Sequence, residues 1–101
     1  MFDKLFAAQQ KAEEVKKRLD TVSVTGTAEG GKITVTATAN KFISAVAIDA
    51  DFLKTVDKEE LEELIAVAVN KALTQAEEIS QAEMQAATRD MMGGLGDFLG
   101  K

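Results

Sequence analysis

The most informative segment for the fold is Thr21–Ala39, TVSVTGTAEGGKITVTATA. Apolar residues alternate in it with threonine and serine, first around Val22 and Val24 and then from Ile33 onward. Alternation with a period of two is typical of half-buried antiparallel strands, and β-branched residues favour such strands. Glu29-Gly30-Gly31 lies between the two runs, so the stretch predicts two strands joined by a turn.

A third strand is predicted after this hairpin, over Phe42–Ile48. Asn40-Lys41 precedes it and predicts a second tight turn, because asparagine tolerates positive φ. The three strands would therefore follow one another as an antiparallel meander.

Helices are predicted on both sides of the meander. Residues 2 to about 20 have apolar side chains at steps of three and four, which is a heptad pattern. A longer helix is predicted from Asp57, where Glu60 completes a capping-box pattern, to Gly93-Gly94, and its pattern passes through Gln75, Ala82 and Ala86. The residues predicted to form the seam between helices, or between subunits of a dimer, are Leu5, Ala12, Val15, Leu19, Leu61, Ile65, Ala68, Ala72 and Ile79.

The length of the second helix has a consequence for the architecture. It would measure about 50 Å, whereas a compact chain of this size has a radius of gyration of only about 13 Å. We therefore expect an α+β fold with the chain order α-β-β-β-α, in which two long helices project from the sheet as arms of a dimer. Residues 1–92 would form this single domain, and residues 93–101 a Gly-rich flexible tail.

The composition excludes most enzyme chemistry. The 101 residues include no Cys, His, Trp or Tyr, so thiolate metal sites, disulfides and the usual general base are absent. Asp49 and Asp51 are two carboxylates with no third ligand placed to help them, which favours a solvated strand end over a metal site. We predict no enzyme activity, no metal and no cofactor.

The location is predicted to be cytoplasmic. The N-terminus does not resemble a secretory signal. No stretch approaches the roughly 18 consecutive apolar residues that suggest a membrane span, so no membrane partner is expected.

Several short segments, in their order along the chain, are similar to one known family. They are Gln9-Gln10-Lys11-Ala12-Glu13-Glu14-Val15, Val24-Thr25-Gly26, Gly31-Lys32-Ile33-Thr34-Val35, Val46-Ala47-Ile48-Asp49 with Phe52-Leu53, Glu60-Leu61-Glu62-Glu63-Leu64-Ile65 and Ala68-Val69-Asn70-Lys71-Ala72. Over roughly residues 5–92 the chain resembles the YbaB/EbfC family of bacterial nucleoid-associated proteins. The resemblance implies a homodimer whose strands build a shared sheet and whose paired arms bind double-stranded DNA with little sequence preference.

The charge pattern selects the first helix as the candidate DNA surface. Residues 1–20 carry five basic and four acidic side chains, whereas residues 57–92 carry three basic and nine acidic ones. Lys4, Lys11 and Arg18 are seven residues apart and form one stripe on the helix. The candidate DNA-binding residues are Lys4, Lys11, Lys16, Lys17, Arg18, Lys71 and Arg89.

Two alternatives stay open at this point. The basic residues beside the seam would equally suit ion pairs with glutamates on the facing helix, such as Glu62, Glu78 and Glu83. The low isoelectric point of about 4.7 also favours a dimeric protein-interaction scaffold without DNA binding. Such a scaffold would hold a protein partner through its arms or through the apolar tail residues Leu95, Phe98 and Leu99.

Overall fold

The chain folds into one antiparallel sheet with helices before and after it. The computed structural model describes the backbone of residues 2–99 and the side chains of residues 6–89. The elements in chain order are α1 (Phe2–Asp20), β1 (Ser23–Ala28), β2 (Ile33–Thr38), β3 (Ile43–Ile48), α2 (Ala50–Thr55) and α3 (Lys58–Leu99). The sheet order is β1-β2-β3, with both pairs antiparallel. The predicted α+β class and three-stranded meander are confirmed.

The short helix α2 was not predicted from the sequence. Asp49 precedes it, and its carboxylate accepts a hydrogen bond of 3.0 Å from the backbone N–H of Phe52. An aspartate in this position satisfies one of the N–H groups that the first turn of a helix leaves without a partner. Asp49 therefore acts as a helix cap at the end of β3.

The end of α3 also differs from the prediction. The helix continues through Gly93 and Gly94 to Leu99, so the predicted end at the two glycines was wrong. Glycine costs a helix only about 1 kcal/mol and keeps its N–H, so the hydrogen-bond ladder can pass through it. The flexibility of residues 93–101 stays a prediction.

The second turn lies where the sequence predicted it, with a different residue in the unusual conformation. Lys41, not Asn40, has positive φ, at 70°. The N–H of Lys41 donates to the carbonyl of Thr38 at 2.9 Å, and the N–H of Thr38 donates to the carbonyl of Phe42 at 2.8 Å. A three-residue hairpin loop of this kind has its left-handed residue in the last position.

The core lies between one face of the sheet and α3. The alternation of β1 and β2 places their apolar residues on this face and their threonines on the other. Ile33 and Val35 are fully buried, and burial of each side chain stabilises the fold by about 1.5–3 kcal/mol. The buried residues of this core are Val24, Ala28, Ile33, Val35, Ala37, Ala68, Ala72 and Ala76.

Alanines and one glycine bring α3 unusually close to the sheet. Ala68, Ala72 and Ala76 are four residues apart and fully buried, so they line one face of the helix. A Cβ atom on Gly26 of β1 would overlap the carbonyl oxygen of Ala68 and the amide nitrogen of Ala72. The helix backbone therefore rests directly on β1, at a distance that only glycine permits.

The second half of α3 extends past the sheet, as predicted. A helix of 42 residues is about 63 Å long, and the long axis of the molecule measures 67 Å. The radius of gyration is 19.4 Å, well above the value of about 13 Å for a compact chain. The first helix packs along this half through a small cluster of Val15, Leu19 and Ala87.

The helix residues that are buried within the single chain are only partly those of the predicted seam. Of the predicted residues, Val15, Leu19, Ala68 and Ala72 are buried, Leu61, Ile65 and Ile79 are half-buried, Ala12 is exposed, and the Leu5 side chain lies outside the described residues. Farther along α3 the buried positions are Ala76 and Ala87, whereas Gln75, Ala82 and Ala86 are exposed. A straight helix repeats every 3.6 residues, so a strict seven-residue pattern drifts off its buried face.

Replacing Gly26 with alanine should destabilise the fold by about 3 kcal/mol or more, because the new methyl group would meet helix backbone that cannot rotate away. The free energy of unfolding in urea measures this at one fixed protein concentration. Gly30→Ala is the matched control, since its Cβ would enter open space and only the positive φ of 63° would cost about 1–2 kcal/mol. Equal losses in the two variants would contradict the close approach of α3 to β1.

Candidate nucleic-acid interface

The last two turns of α1 present three consecutive cations to solvent. Val15 and Leu19 are only 1% and 3% exposed and hold one face of the helix against α3. The three residues between them, Lys16, Lys17 and Arg18, are exposed. Cations at a helix C-terminus interact favourably with the helix dipole, which also suits this position.

The β2–β3 turn fixes the end of α1 that carries these cations. The Asn40 side-chain amide donates to the carbonyl of Lys16 at 2.8 Å and to the carboxylate of Asp20 at 2.5 Å. The N–H of Ala39 donates to the carbonyl of Val22 at 3.0 Å, just after the helix. The sheet therefore sets the backbone position of the three cations.

Two ion pairs connect this region to the acidic helix α3. Arg18 Nε lies 2.7 Å from Glu83 Oε1, and Lys41 in the β2–β3 turn pairs with Glu77. The Lys41 ammonium, by its hydrogen bond and its charge, lowers the pKa of the Glu77 carboxyl below its ordinary value of 4.5. The expectation that charges pair between the helices is thus confirmed for Arg18 and Glu83.

The predicted DNA-binding residues do not form one patch. Lys16, Lys17 and Arg18 lie together, and Lys11 is half-buried farther along α1. Lys71 and Arg89 are exposed on α3 but about 27 Å apart along its axis. The Lys4 side chain lies outside the described residues.

Sequence reasoning missed Lys41 as part of this region. Its turn was predicted, but the contacts of that turn are long-range: Asn40 reaches Lys16 across 24 residues, and Lys41 reaches Glu77 on α3. The only local signal was the turn itself, which does not indicate what the turn packs against.

The negative charge of the chain is concentrated at the opposite end of the sheet. Residues 49–63 carry seven carboxylates and two lysines, which accounts for the whole net charge of −5. The N–H of Asp49 donates to the carbonyl of Lys32 at 2.8 Å, which ties this segment to the β1–β2 turn. Since β1 runs from α1 to that turn, its six residues, about 20 Å long, separate the acidic segment from the cations of α1.

The parts of the molecule that the structure describes contain no helix long and apolar enough to cross a membrane. The same residues contain no group of three or more acidic side chains arranged to hold a metal ion. Asp49, one of the two carboxylates considered for a metal, is used as a helix cap instead.

Comparison with known proteins decides the family. The model of the YbaB/EbfC DNA-binding family matches residues 1–91. The chain belongs to the YbaB/EbfC DNA-binding family. This is a family of nucleoid-associated DNA-binding proteins and not of enzymes. The resemblance found in the sequence is thereby confirmed.

Individual YbaB/EbfC relatives match over most of their length. A nucleoid-associated protein of Flavobacterium johnsoniae is 38% identical over 88% of this chain and 82% of its own. A nucleoid-associated protein of Thermus thermophilus is 40% identical over 93% of this chain and 87% of its own. The crystal structure of an uncharacterized protein from Helicobacter pylori has the same fold, with a TM-score of 0.66 and 19% identity over 77% of this chain and 90% of that one.

The Lys41–Glu77 pair gives this YbaB/EbfC chain a pH-dependent contribution to stability. Because the folded-state pKa of Glu77 is lowered, its contribution is present above about pH 4.5 and is lost as the pH falls through the lowered value. We expect the melting temperature of Glu77→Gln to lie below that of the wild type at pH 7 and to approach it below pH 4.5. A difference that stays constant down to pH 3, or that persists when Lys41 is also replaced by Met, would contradict the assigned cause.

Proposed function

We propose that this YbaB/EbfC protein binds double-stranded DNA as a homodimer, with little sequence preference and through phosphate contacts from its helical arms. The observation that carries the proposal is the group of exposed cations Lys16, Lys17 and Arg18 at the base of the arm, in a chain of a DNA-binding family. Lys4 and Lys11 would extend this surface along α1, and Lys71 and Arg89 would add separate contacts from α3. The curated relatives are named nucleoid-associated proteins, so the proposed location is the nucleoid in the bacterial cytoplasm.

The acidic composition is compatible with this proposal. The net negative charge lies in residues 49–63, and β1 separates that segment from α1. A duplex approaching the acidic end would be repelled, and one approaching α1 would meet cations. The charge distribution would therefore orient the protein on DNA rather than prevent binding.

Low sequence preference follows from the side chains available. Phosphate contacts from lysine and arginine supply affinity without reading bases. Discrimination between sequences would then come from the shape and deformability of the duplex.

The uncovered strand β3 supports the homodimer. Residues 43–48, ISAVAI, contain no charge, proline or glycine, and in the part of the chain that the structure describes β3 pairs on one side only. Val46 is 47% exposed although it pairs with the fully buried Val35, because α3 packs on β1 and β2. Soluble proteins protect free edge strands with charges, proline or a covering element. A second copy of the chain would cover this one.

Replacing Val46 with aspartate should therefore dissociate the dimer while the chain stays folded, since Val46 is half-exposed in the single chain. Light scattering after size-exclusion chromatography should give twice the mass of one chain for the wild type and close to one chain for the variant. Thr25→Asp, on the exposed face of β1, is the matched control and should stay dimeric. A dimeric Val46→Asp variant would exclude β3 from the interface.

Binding to a random-sequence duplex should weaken steeply with salt, with log affinity falling linearly against log salt concentration. The triple variant Lys4→Glu, Lys11→Glu and Arg18→Glu should bind at least about a hundredfold more weakly at low salt, because six charge reversals per dimer would face the phosphates. Fluorescence anisotropy measures both effects.

The control for this experiment reverses the same number of charges away from α1. Lys32→Glu, Lys54→Glu and Lys58→Glu lie at the acidic end of the molecule and should leave affinity within about threefold of the wild type. Equal losses in the two triple variants would mean that net charge, and not the α1 surface, governs binding. No binding by the wild type at low salt would favour the protein-interaction scaffold instead.

A further inference from the structure

We propose that Glu83 of α3 competes with DNA phosphate for Arg18 and so limits the affinity of the α1 surface. This inference rests on the proposed DNA binding. It concerns how strongly that surface binds and which residue sets the strength, and it assigns a role to an acidic residue of the arm.

The geometry places a carboxylate where a phosphate would bind. Arg18 Nε donates to Glu83 Oε1 at 2.7 Å, within the range of a charge-assisted hydrogen bond. The Arg18 side chain is 57% exposed, so its guanidinium faces solvent on the side away from α3. A phosphate that reaches this guanidinium meets a cation already neutralised by an adjacent anion, and it must displace that anion or bind beside it.

The position of Glu83 is set by the fold. Its side chain is 33% exposed and belongs to the part of α3 that packs against Val15 and Leu19 of α1. The carboxylate thus stays next to Arg18 for as long as the two helices remain packed. Lys41 is held in the same way by Glu77, so α3 supplies the anion in both ion pairs that connect different elements among the described residues.

The expected size of the effect follows from the exposure of the pair. Ion pairs at exposed positions contribute modestly, which corresponds to about two- to fivefold in affinity for each arm that engages DNA. Glu83→Gln keeps the length of the side chain and its hydrogen-bond acceptor, so the helix packing should be retained. We expect this variant to bind a random-sequence duplex more tightly than the wild type by that factor.

The control is Glu78→Gln, which removes the same charge from the same helix. Glu78 is exposed and has no ion pair among the described residues. Removing the Glu78 charge should change the affinity for the duplex much less, because this charge acts only through long-range electrostatics. Five proteins are compared: the wild type, Glu83→Gln, Glu78→Gln, Arg18→Gln, and the double variant of Glu83→Gln with Arg18→Gln.

The outcomes separate this inference from the proposed function. A gain in Glu83→Gln that exceeds that of Glu78→Gln and disappears in the Arg18→Gln background supports competition. Equal affinities of the two glutamate variants would overturn competition and leave the proposed DNA binding intact. Weaker binding by Glu83→Gln would also overturn competition, and it would show that Glu83 positions Arg18 for phosphate. Binding by Glu83→Gln but not by the wild type would support competition and overturn DNA binding by the wild type, whereas no binding by any variant at low salt overturns both proposals.

Discussion

The close approach of α3 to β1 is the constraint on which the other features depend. Gly26 and the alanines at positions 68 and 72 allow the helix backbone to rest on the strand. Small residues give little apolar area individually, but they permit dense backbone contact over several turns of helix. Any side chain at position 26 would lift the helix and open the core around Val35.

This packing also determines what remains available for partners. Because α3 lies over β1 and β2, the inner face of β3 is left partly exposed, and the far half of α3 extends beyond the sheet. The extended half needs α1 to cover its apolar positions, and among the described side chains α1 supplies a small cluster around Val15 and Leu19. One helix placement therefore produces an uncovered strand at one side of the molecule and a two-helix arm at its end.

The candidate interface contains side chains of both charges, cations from α1 and carboxylates from α3. Lys16, Lys17 and Arg18 point to solvent from α1, while α3 brings Glu77 and Glu83 within bonding distance of neighbouring cations. The DNA surface proposed for this YbaB/EbfC protein would thus be weakened by carboxylates of its own helix α3. The strongly negative segment at residues 49–63 lies away from the cations of α1, and the acidic residue that pairs with one of those cations, Glu83, is one that α3 supplies.

The three strands, the two long helices and the family could be predicted from the sequence alone. Alternation around Ile33 and the heptad spacing of α1 are local patterns, and local patterns report which face of an element is buried. The cap at Asp49 and the continuation of α3 through Gly93 were not predicted, because caps and helix ends depend on weak preferences of about 1 kcal/mol.

Which elements contact one another could be seen only in the folded chain. The contacts of Asn40 with the end of α1, of Gly26 with α3, and of Arg18 with Glu83 join residues far apart in the chain. Such contacts depend on how the helices cross the sheet, and a single sequence carries no local signal for that crossing. The basic residues of the proposed DNA surface can therefore be recognised in the sequence of α1. The carboxylates that pair with its cations are brought there by the packing of α3.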